Sequence, residues 1–487
     1  MVSAPARVRL YIAGQWREAT GGRSFTRVGP LGQGTASEAA AASLEDAQAA
    51  VEAAQTAFTT WSETSPSVRR DLLWKAAEAL EARTEAFVEA MVAETGATPG
   101  WAHLNVHLAA GMFKEAAALT TQITGEVIPS DRPGTLAFAV RQPVGVILSL
   151  APWNAPVILG VRALATPLAC GNTVVFKGSE LSPRTHALIV EALEEAGLPA
   201  GVVNFLTTAP EEAPRVVEAL IAHPAVRRVN FTGSTRTGRI IAELCGRHLK
   251  PVLLELGGKA PAIVLKDADL EAAARAIAFG AFANQGQICM STERVVVEEA
   301  VAEALVAKLA ERAANLPVGD PRQGQVALGC LVDPKAAERV AELVEEALML
   351  GARLVVGGKK EGPFFWPTVL DQVTPKMRIY HEESFGPVVA VVRVRDEEEA
   401  VRVANDTEYG LSAAIFTQDI AKGLRLARRV QSGICHINGP TVHDEPQMPF
   451  GGVKASGYGR FGGRAGIQEF TELRWITVQT EPLQYPF

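Results

Sequence analysis

Five cysteines are spread through 487 residues, and no two of them stand in Cys-x-x-Cys spacing. That pattern excludes a zinc knuckle and a dithiol redox motif, and it suits free thiols in a reducing compartment better than a disulfide framework. Long hydrophobic runs are missing too, since no stretch approaches the roughly 20 apolar residues of a membrane span. Between Met1 and Trp16 the apolar residues are interrupted by Arg7, Arg9 and Gly14, which leaves no core for a signal peptide. Nor is there a basic excess: the net charge is −7, against the clustered positive surface that a nucleic-acid binder needs. What remains is the composition of a soluble globular enzyme, 48% hydrophobic and 21% charged. The length suits about two or three domains with sizeable cores. A cytoplasmic protein is expected, with neither nucleic acid nor a membrane as partner.

The middle of the chain alternates short apolar runs with amphipathic helical stretches, the pattern of parallel strands joined by crossover helices. Pro143 to Leu150, Thr173 to Lys177, Val202 to Leu206 and Arg228 to Thr232 read as strands. Helices are expected over Pro156 to Cys170 and over Ser182 to Ala196, the second with Pro183 in its first turn and Gly197 as its C-cap. Ser43 to Thr95 is rich in alanine and glutamate and reads as mostly helical. After Gly257 the alternation restarts, with strands near Ala262 to Leu265 and Arg294 to Val297, which suggests a second α/β domain.

Cys289 stands in Phe-Ala-Asn-Gln-Gly-Gln-Ile-Cys-Met-Ser, a small, polar setting that can leave a sulfur within reach of a substrate. A lone cysteine is more often a small buried hydrophobe. The balance changes with Leu254-Glu255-Leu256-Gly257-Gly258-Lys259, which supplies a carboxylate able to act as a base. Thiol and separate base together are what covalent acyl chemistry requires. Nucleotide signals are weaker. No Gly-x-Gly-x-x-Gly follows the first strands. Phe231 to Gly238 has P-loop glycine spacing, but Arg239-Ile240 stands where Lys-Ser/Thr is needed. Gly233-Ser234 and Lys177-Gly178-Ser179-Glu180 each follow a strand, where ligands bind in open α/β sheets. Each could equally be an ordinary turn or a pair of solvated charges.

In order along the chain come Pro152-Trp153-Asn154, Phe176 to Glu180, Phe231 to Ser234 and Leu254 to Lys259, then Gly286 to Cys289, Glu382 to Pro387 and Pro449 to Lys454. This series resembles the NAD(P)-dependent aldehyde dehydrogenase superfamily along almost the whole chain. The resemblance implies an α/β fold with a Rossmann-like nucleotide-binding domain that lacks the usual glycine fingerprint, over residues 1–120 and 143–255. It further implies a second α/β catalytic domain over 256–455 and a small β oligomerisation flap and tail over 121–142 and 470–487. A homodimer or homotetramer is expected.

By the same resemblance Cys289 is the nucleophile toward an aldehyde, Asn154 and the Cys289 backbone N–H hold the oxyanion, and Glu255 activates the water that hydrolyses the thioester. Lys259 either supports the glutamate or is a surface charge, and Glu472 matches a proton-relay position. Lys177 and Glu180 would meet the adenosine ribose. Gly233, Ser234 and Trp153 would lie near the pyrophosphate and nicotinamide, and Glu383 with Phe385 at the nicotinamide ribose. A carboxylate at Glu180 would repel the 2′-phosphate of NADP, so NAD is the expected cofactor, with NADP tolerated if that side chain swings away.

The stretches Ala151 to Arg162 and Ile437 to Phe450 resemble the bacterial aromatic-aldehyde branch, which includes salicylaldehyde, vanillin and benzaldehyde dehydrogenases. Asn154, Ile158 and Arg162 share a helix face, so Arg162 either reaches a ring hydroxyl or product carboxylate from the tunnel wall or forms a structural ion pair. Trp101 and Phe450 are candidate tunnel aromatics, and Ile288 and Met290 flank the nucleophile. Two other readings carry less weight: an enzyme for aliphatic or semialdehyde substrates, which would want more cations near Cys289 and Pro440, and a non-catalytic member of the fold, against which Cys289, Glu255 and Asn154 together argue.

Overall fold

The computed structural model describes residues 5–32 and 34–487; Met1 to Ala4, where the expectation about a signal peptide begins, and Gln33 lie outside the described residues. Two parallel-rich sheets carry the molecule. The first has eight strands, and its middle runs Val252–Glu255, Val226–Thr232, Val146–Leu150, Thr173–Lys177 and Val203–Leu206, all parallel. Antiparallel pieces finish both edges: Gly457–Tyr458 beside Val252–Glu255, and Leu10–Ile12 with Gln15–Arg17 beside Val203–Leu206. The strands Val146–Leu150 and Thr173–Lys177 are buried at every position, because helices cover both faces of a parallel sheet and leave no wet side for polar residues.

The helix Pro156–Ala169 is buried along its whole length, opens on a proline and stops before Gly171, whose φ of 84° suits glycine. Pro183–Glu195 likewise begins with proline and is followed by Gly197 at φ 86°. The alanine-rich segment resolves into Leu44–Trp61, Pro66–Ala82 and Thr84–Thr95, and a further helix, Pro99–Leu119, extends beyond it. Ser43 and Asp46 form a reciprocal capping box at the first of these.

The second sheet has seven strands in the order Arg353–Val356, Thr368–Asp371, Val388–Val394, Thr292–Glu298, Ala260–Val264, Ser412–Phe416 and Ile434–Ile437, with only the first pairing antiparallel. Thr471–Gln479, Thr135–Pro143 and Glu126–Ile128 make a three-stranded antiparallel sheet set apart from both. It exposes Val127, Leu473 and Trp475. No helix among the described residues is long and apolar enough to cross a membrane.

The two large sheets are joined by a short crossing. Glu255 ends a strand of the first sheet and Ala260 begins a strand of the second, with only Leu256 to Lys259 between them. The carboxyl ends of the first sheet therefore face the amino ends of the second.

Candidate active site

The register lines up the motif residues along that crossing. Leu150 pairs with Lys177 and with Phe231, and Thr232 pairs with Glu255. Asn154, Glu180, Ser234 and Glu255 thus leave the first sheet at the same edge, where ligands of open α/β sheets bind. From the opposite side come Cys289, just ahead of Thr292–Glu298, and Glu383, just ahead of Val388–Val394. Gly257 and Gly258 let the two sets meet: a Cβ on Gly258 would lie 2.2 Å from the Cys289 carbonyl oxygen, and one on Gly257 would lie 2.8 Å from a Glu383 carboxylate oxygen.

The loop that carries Cys289 is held in an unusual backbone. Asn284, Gln285 and Gly286 have φ of 48°, 58° and 70°, a left-handed run that two non-glycine residues adopt only under outside restraint. The restraint is visible. Gln285 donates to the Cys330 carbonyl at 2.9 Å, Gln287 accepts from the Val332 N–H at 3.0 Å, and Ser291 donates to the Gly286 carbonyl at 3.0 Å. Asn154 is fixed against this loop. Its side-chain amide donates to the Gln287 carbonyl at 3.0 Å, while its own carbonyl accepts from Trp101 Nε1 at 3.1 Å and Asn284 Nδ2 at 2.9 Å. An asparagine amide has two N–H bonds, so one remains for an oxyanion.

Glu255 is buried, both of its oxygens lack a conventional partner among the described residues, and its carboxyl faces the Cys289 thiol. Burial pushes the Glu255 carboxyl up to about 8, with the Arg162 guanidinium and the Cys289 thiol pulling the other way. Burial and then the Glu255 carboxylate hold the Cys289 thiol well above its ordinary value, with Arg162 opposing. A proton passed from sulfur to carboxylate therefore stays within one shielded pair, which is what a base beside its nucleophile requires.

On the cofactor side, Lys177 and Glu180 are joined at 2.9 Å. Against burial, which raises it, the Lys177 ammonium keeps the Glu180 carboxyl below its usual value. Ser234 caps Thr235–Arg247 by accepting from the Thr237 N–H at 3.3 Å, with Gly233 just before it. Glu383 accepts from the Gly258 N–H at 2.8 Å. Phe385, at φ 48°, sets its ring edge-on to Trp153 with centroids 5.8 Å apart. A lysine–carboxylate pair, a capped helix start and an edge-on aromatic pair can suit the ribose, pyrophosphate and nicotinamide of a dinucleotide.

Trp101, Ile288, Met290 and Phe450 belong to one buried apolar cluster, against which Cys289 packs. Behind Trp101 and Asn284 opens a cleft of about 1070 Å³ that also touches Phe279 and Phe282 but not Cys289. The guanidinium of Arg162 is paired with Asp444 and lies 4.1 Å from the centroid of Phe450. Lys259 is buried and bonded to Glu293, so it is no surface charge. Glu472 is exposed opposite Gln142 in the three-stranded sheet, in the field of Arg228, whereas Arg162, Glu383 and Asp444 are among the charged side chains that act on Glu255. The residue type matched the relay position, but the strand carries this side chain outward.

Three contributors escaped the sequence reading. Glu293 and Asp444 are acids at the head of an apolar strand and in a loop, and His186 looked like an ordinary helix residue. His186 is buried, and its Nδ1 accepts from the Ser179 N–H at 3.0 Å, steadying the loop between Lys177 and Glu180. Burial and then the Lys177 charge push its imidazole down to about 3, so it stays neutral. The adjacent Glu293-Arg294 charges at the head of an otherwise apolar strand were the available signal, since buried charges need partners.

Known proteins agree with this geometry. The chain matches the aldehyde dehydrogenase family over residues 16–476. It is 61% identical to a vanillin dehydrogenase of Pseudomonas sp. strain HR199 over 98% of this chain and 99% of that one. With a benzaldehyde dehydrogenase [NAD(+)] of Pseudomonas putida it shares 41% identity over 98% of this chain and 97% of the other. Among solved structures, a salicylaldehyde dehydrogenase from Pseudomonas putida G7 complexed with salicylaldehyde superposes with a TM-score of 0.98 at 50% identity, covering 99% of this chain and 100% of that one.

Proposed function

The chain belongs to the aldehyde dehydrogenase family, and we propose that it oxidises aromatic aldehydes to carboxylic acids with NAD as the acceptor. The observation that carries the chemistry is the meeting of Cys289, Glu255 and Asn154 where the chain crosses between its sheets. Glu255 takes the proton of the Cys289 thiol, and the thiolate attacks the aldehyde carbon. The oxyanion so formed meets the free N–H of Asn154 and the backbone N–H of Cys289. When bound, the nicotinamide supplies the two-electron acceptor that converts this adduct to an acyl thioester. Glu255 gives up to solvent the proton it took from sulfur and, ionised again, takes a proton from water; the hydroxide adds to the thioester carbon, and Cys289 leaves as thiolate with release of the acid.

Lys177 and Glu180 hold the adenosine ribose, Gly233 and Ser234 the pyrophosphate, and Glu383, Phe385 and Trp153 the nicotinamide end. The Glu180 carboxylate disfavours the 2′-phosphate of NADP, which is tolerated to the extent that Glu180 can turn from Lys177. The aromatic reading draws support from the apolar cluster of Trp101, Ile288, Met290 and Phe450 and from the named activities of the relatives. Because Arg162 is neutralised by Asp444, a charged aliphatic substrate gains little here.

The nucleotide-binding domain spans 1–120 and 143–255, the catalytic domain 256–455, and the flap and tail 121–142 and 470–487. A second copy covers the exposed Val127, Leu473 and Trp475 of the flap, giving a homodimer or homotetramer. Assay of aryl against short and long aliphatic aldehydes by NADH absorbance tests the substrate class. Higher kcat/KM for aryl aldehydes is expected, and a preference for short aliphatic ones would overturn the aromatic reading.

A further inference from the structure

Between the strand Ile434–Ile437 and Phe450 the chain carries a carboxylate whose two oxygens are unequally employed. Asp444 Oδ2 accepts from Arg162 Nη2, with both side chains at least nine-tenths buried (6% and 10% exposed). Asp444 Oδ1 is buried and has no hydrogen-bond partner among the described residues. The neighbours do not spare it a donor, because His443 and Glu445 are paired with each other at 2.8 Å.

This acid is held beside the reacting residues. Arg162 lies over Phe450 at 4.1 Å and toward Phe461 at 6.0 Å from the ring centroids, on the helix Pro156–Ala169 that follows Asn154. Phe450 and Phe461 share the buried cluster that receives Cys289. Arg162 and Asp444 also act on Glu255 in opposite senses, so the pair sits close to the base.

We propose that Asp444 Oδ1 accepts the ring hydroxyl of a phenolic aldehyde, which makes Asp444 a specificity-determining residue. The inference rests on the aromatic-aldehyde reading of the site. With Arg162 already paired, the Arg162–Asp444 pair offers a hydrogen-bond acceptor rather than a cation. It therefore selects a neutral donor and turns away a ring carboxylate. A methyl ether at the same ring position has no proton to give and leaves the buried oxygen unpaired. Sites built to hydrogen-bond a hydroxyl reject analogues that lack it far more sharply than apolar pockets reject a change in size.

The test compares kcat/KM for ortho-, meta- and para-hydroxybenzaldehyde with their methyl ethers, each normalised to benzaldehyde, in the wild type and in Asp444→Asn. In the wild type the hydroxyl should be preferred at one ring position on the order of 10- to 100-fold, the range of a hydrogen bond to a charged acceptor. In Asp444→Asn that ratio should fall to within about threefold of unity, since the lost charge weakens acceptance and the amide N–H can serve the ether oxygen. Equal loss for every substrate, or no hydroxyl preference in the wild type, means Asp444 serves only to balance Arg162 and the proposal fails. Competitive inhibition by phenol and by anisole repeats the comparison without the reaction, and the wild-type preference decides alone if Asp444→Asn does not fold. Benzaldehyde against hexanal in the wild type tests the aromatic reading separately, whatever the hydroxyl ratio.

Discussion

Lys259 and Glu293 form a 2.6 Å ion pair with both side chains buried. Lys259 follows Glu255 by four residues, and Glu293 follows Cys289 by four. Glu293 also accepts from the Ser384 N–H and the Phe385 N–H, each at 3.0 Å. One carboxylate therefore ties together the segments that carry Glu255, Cys289 and Glu383 to Phe385, and it holds Phe385 in its left-handed backbone.

Glu293→Gln should accordingly damage cofactor binding more than the sulfur chemistry. The amide keeps the shape but leaves the Lys259 ammonium buried without its counter-charge, a loss worth roughly 3–5 kcal/mol when a buried pair is broken. Urea unfolding should register that loss, and the KM for NAD should rise by about tenfold or more as Phe385 and Glu383 loosen. Adding Lys259→Met should recover part of the stability while the KM for NAD stays high. Recovery of both would mean that the pair acts on stability alone.

Glu255 sets the acid side of the pH profile. Its carboxyl must be ionised to accept a proton, and burial has raised it to about 8. Activity should therefore climb as pH rises through that value and fall below it. The folded carboxyl lies above its unfolded value, so the linked stability is present at low pH and is lost as pH rises through about 8. Because the thiol and carboxyl titrate together, the profile reports the pair. In Glu255→Gln the first-turnover burst of NADH should survive while steady turnover drops by roughly 10²- to 10⁴-fold, the usual contribution of a general base. Unchanged steady turnover would remove Glu255 from the role.

Much of this site is legible in the residues alone. Strand ends in a parallel sheet are fixed by short apolar runs and the polar turns after them, so Asn154, Glu180, Ser234 and Glu255 could be assigned to one edge from pattern and resemblance. Helical phase does not link Arg162 to Asn154, because the helix starts at Pro156 and Asn154 lies ahead of it. Phase reports a face and never a partner, and Asp444, which neutralises Arg162, lies 282 residues away. The roles of Glu293 and His186 depend on backbone N–H groups of Ser384, Phe385 and Ser179, and backbone donors leave no trace in residue type. Glu472 shows the converse: a matching residue type with a side chain that the strand turns outward.

Cys289→Ser should abolish aldehyde oxidation and leave NAD binding nearly intact. A hydroxyl is far harder to ionise than a thiol, and the residues named for the cofactor are all elsewhere. Calorimetric titration with NAD, alongside an aldehyde assay, separates the two. Turnover above a trace would require another nucleophile, for which the buried Cys170, Cys245 and Cys330 are poorly placed.

Glu180 should decide between NAD and NADP. Its carboxylate is held ionised beside Lys177 at 2.9 Å, on a loop that His186 steadies through the Ser179 N–H. A 2′-hydroxyl can donate to that carboxylate, whereas a 2′-phosphate would bring two like charges together. The wild type should therefore show a higher kcat/KM with NAD. Glu180→Gln removes the negative charge and frees Lys177 to meet the phosphate, so it should narrow the gap by about tenfold, chiefly through the KM for NADP. His186→Phe, which removes the acceptor of the Ser179 N–H, should weaken binding of both cofactors without changing their ratio. A wild-type preference for NADP, or a Glu180→Gln ratio equal to the wild type, would show that the ribose is read elsewhere.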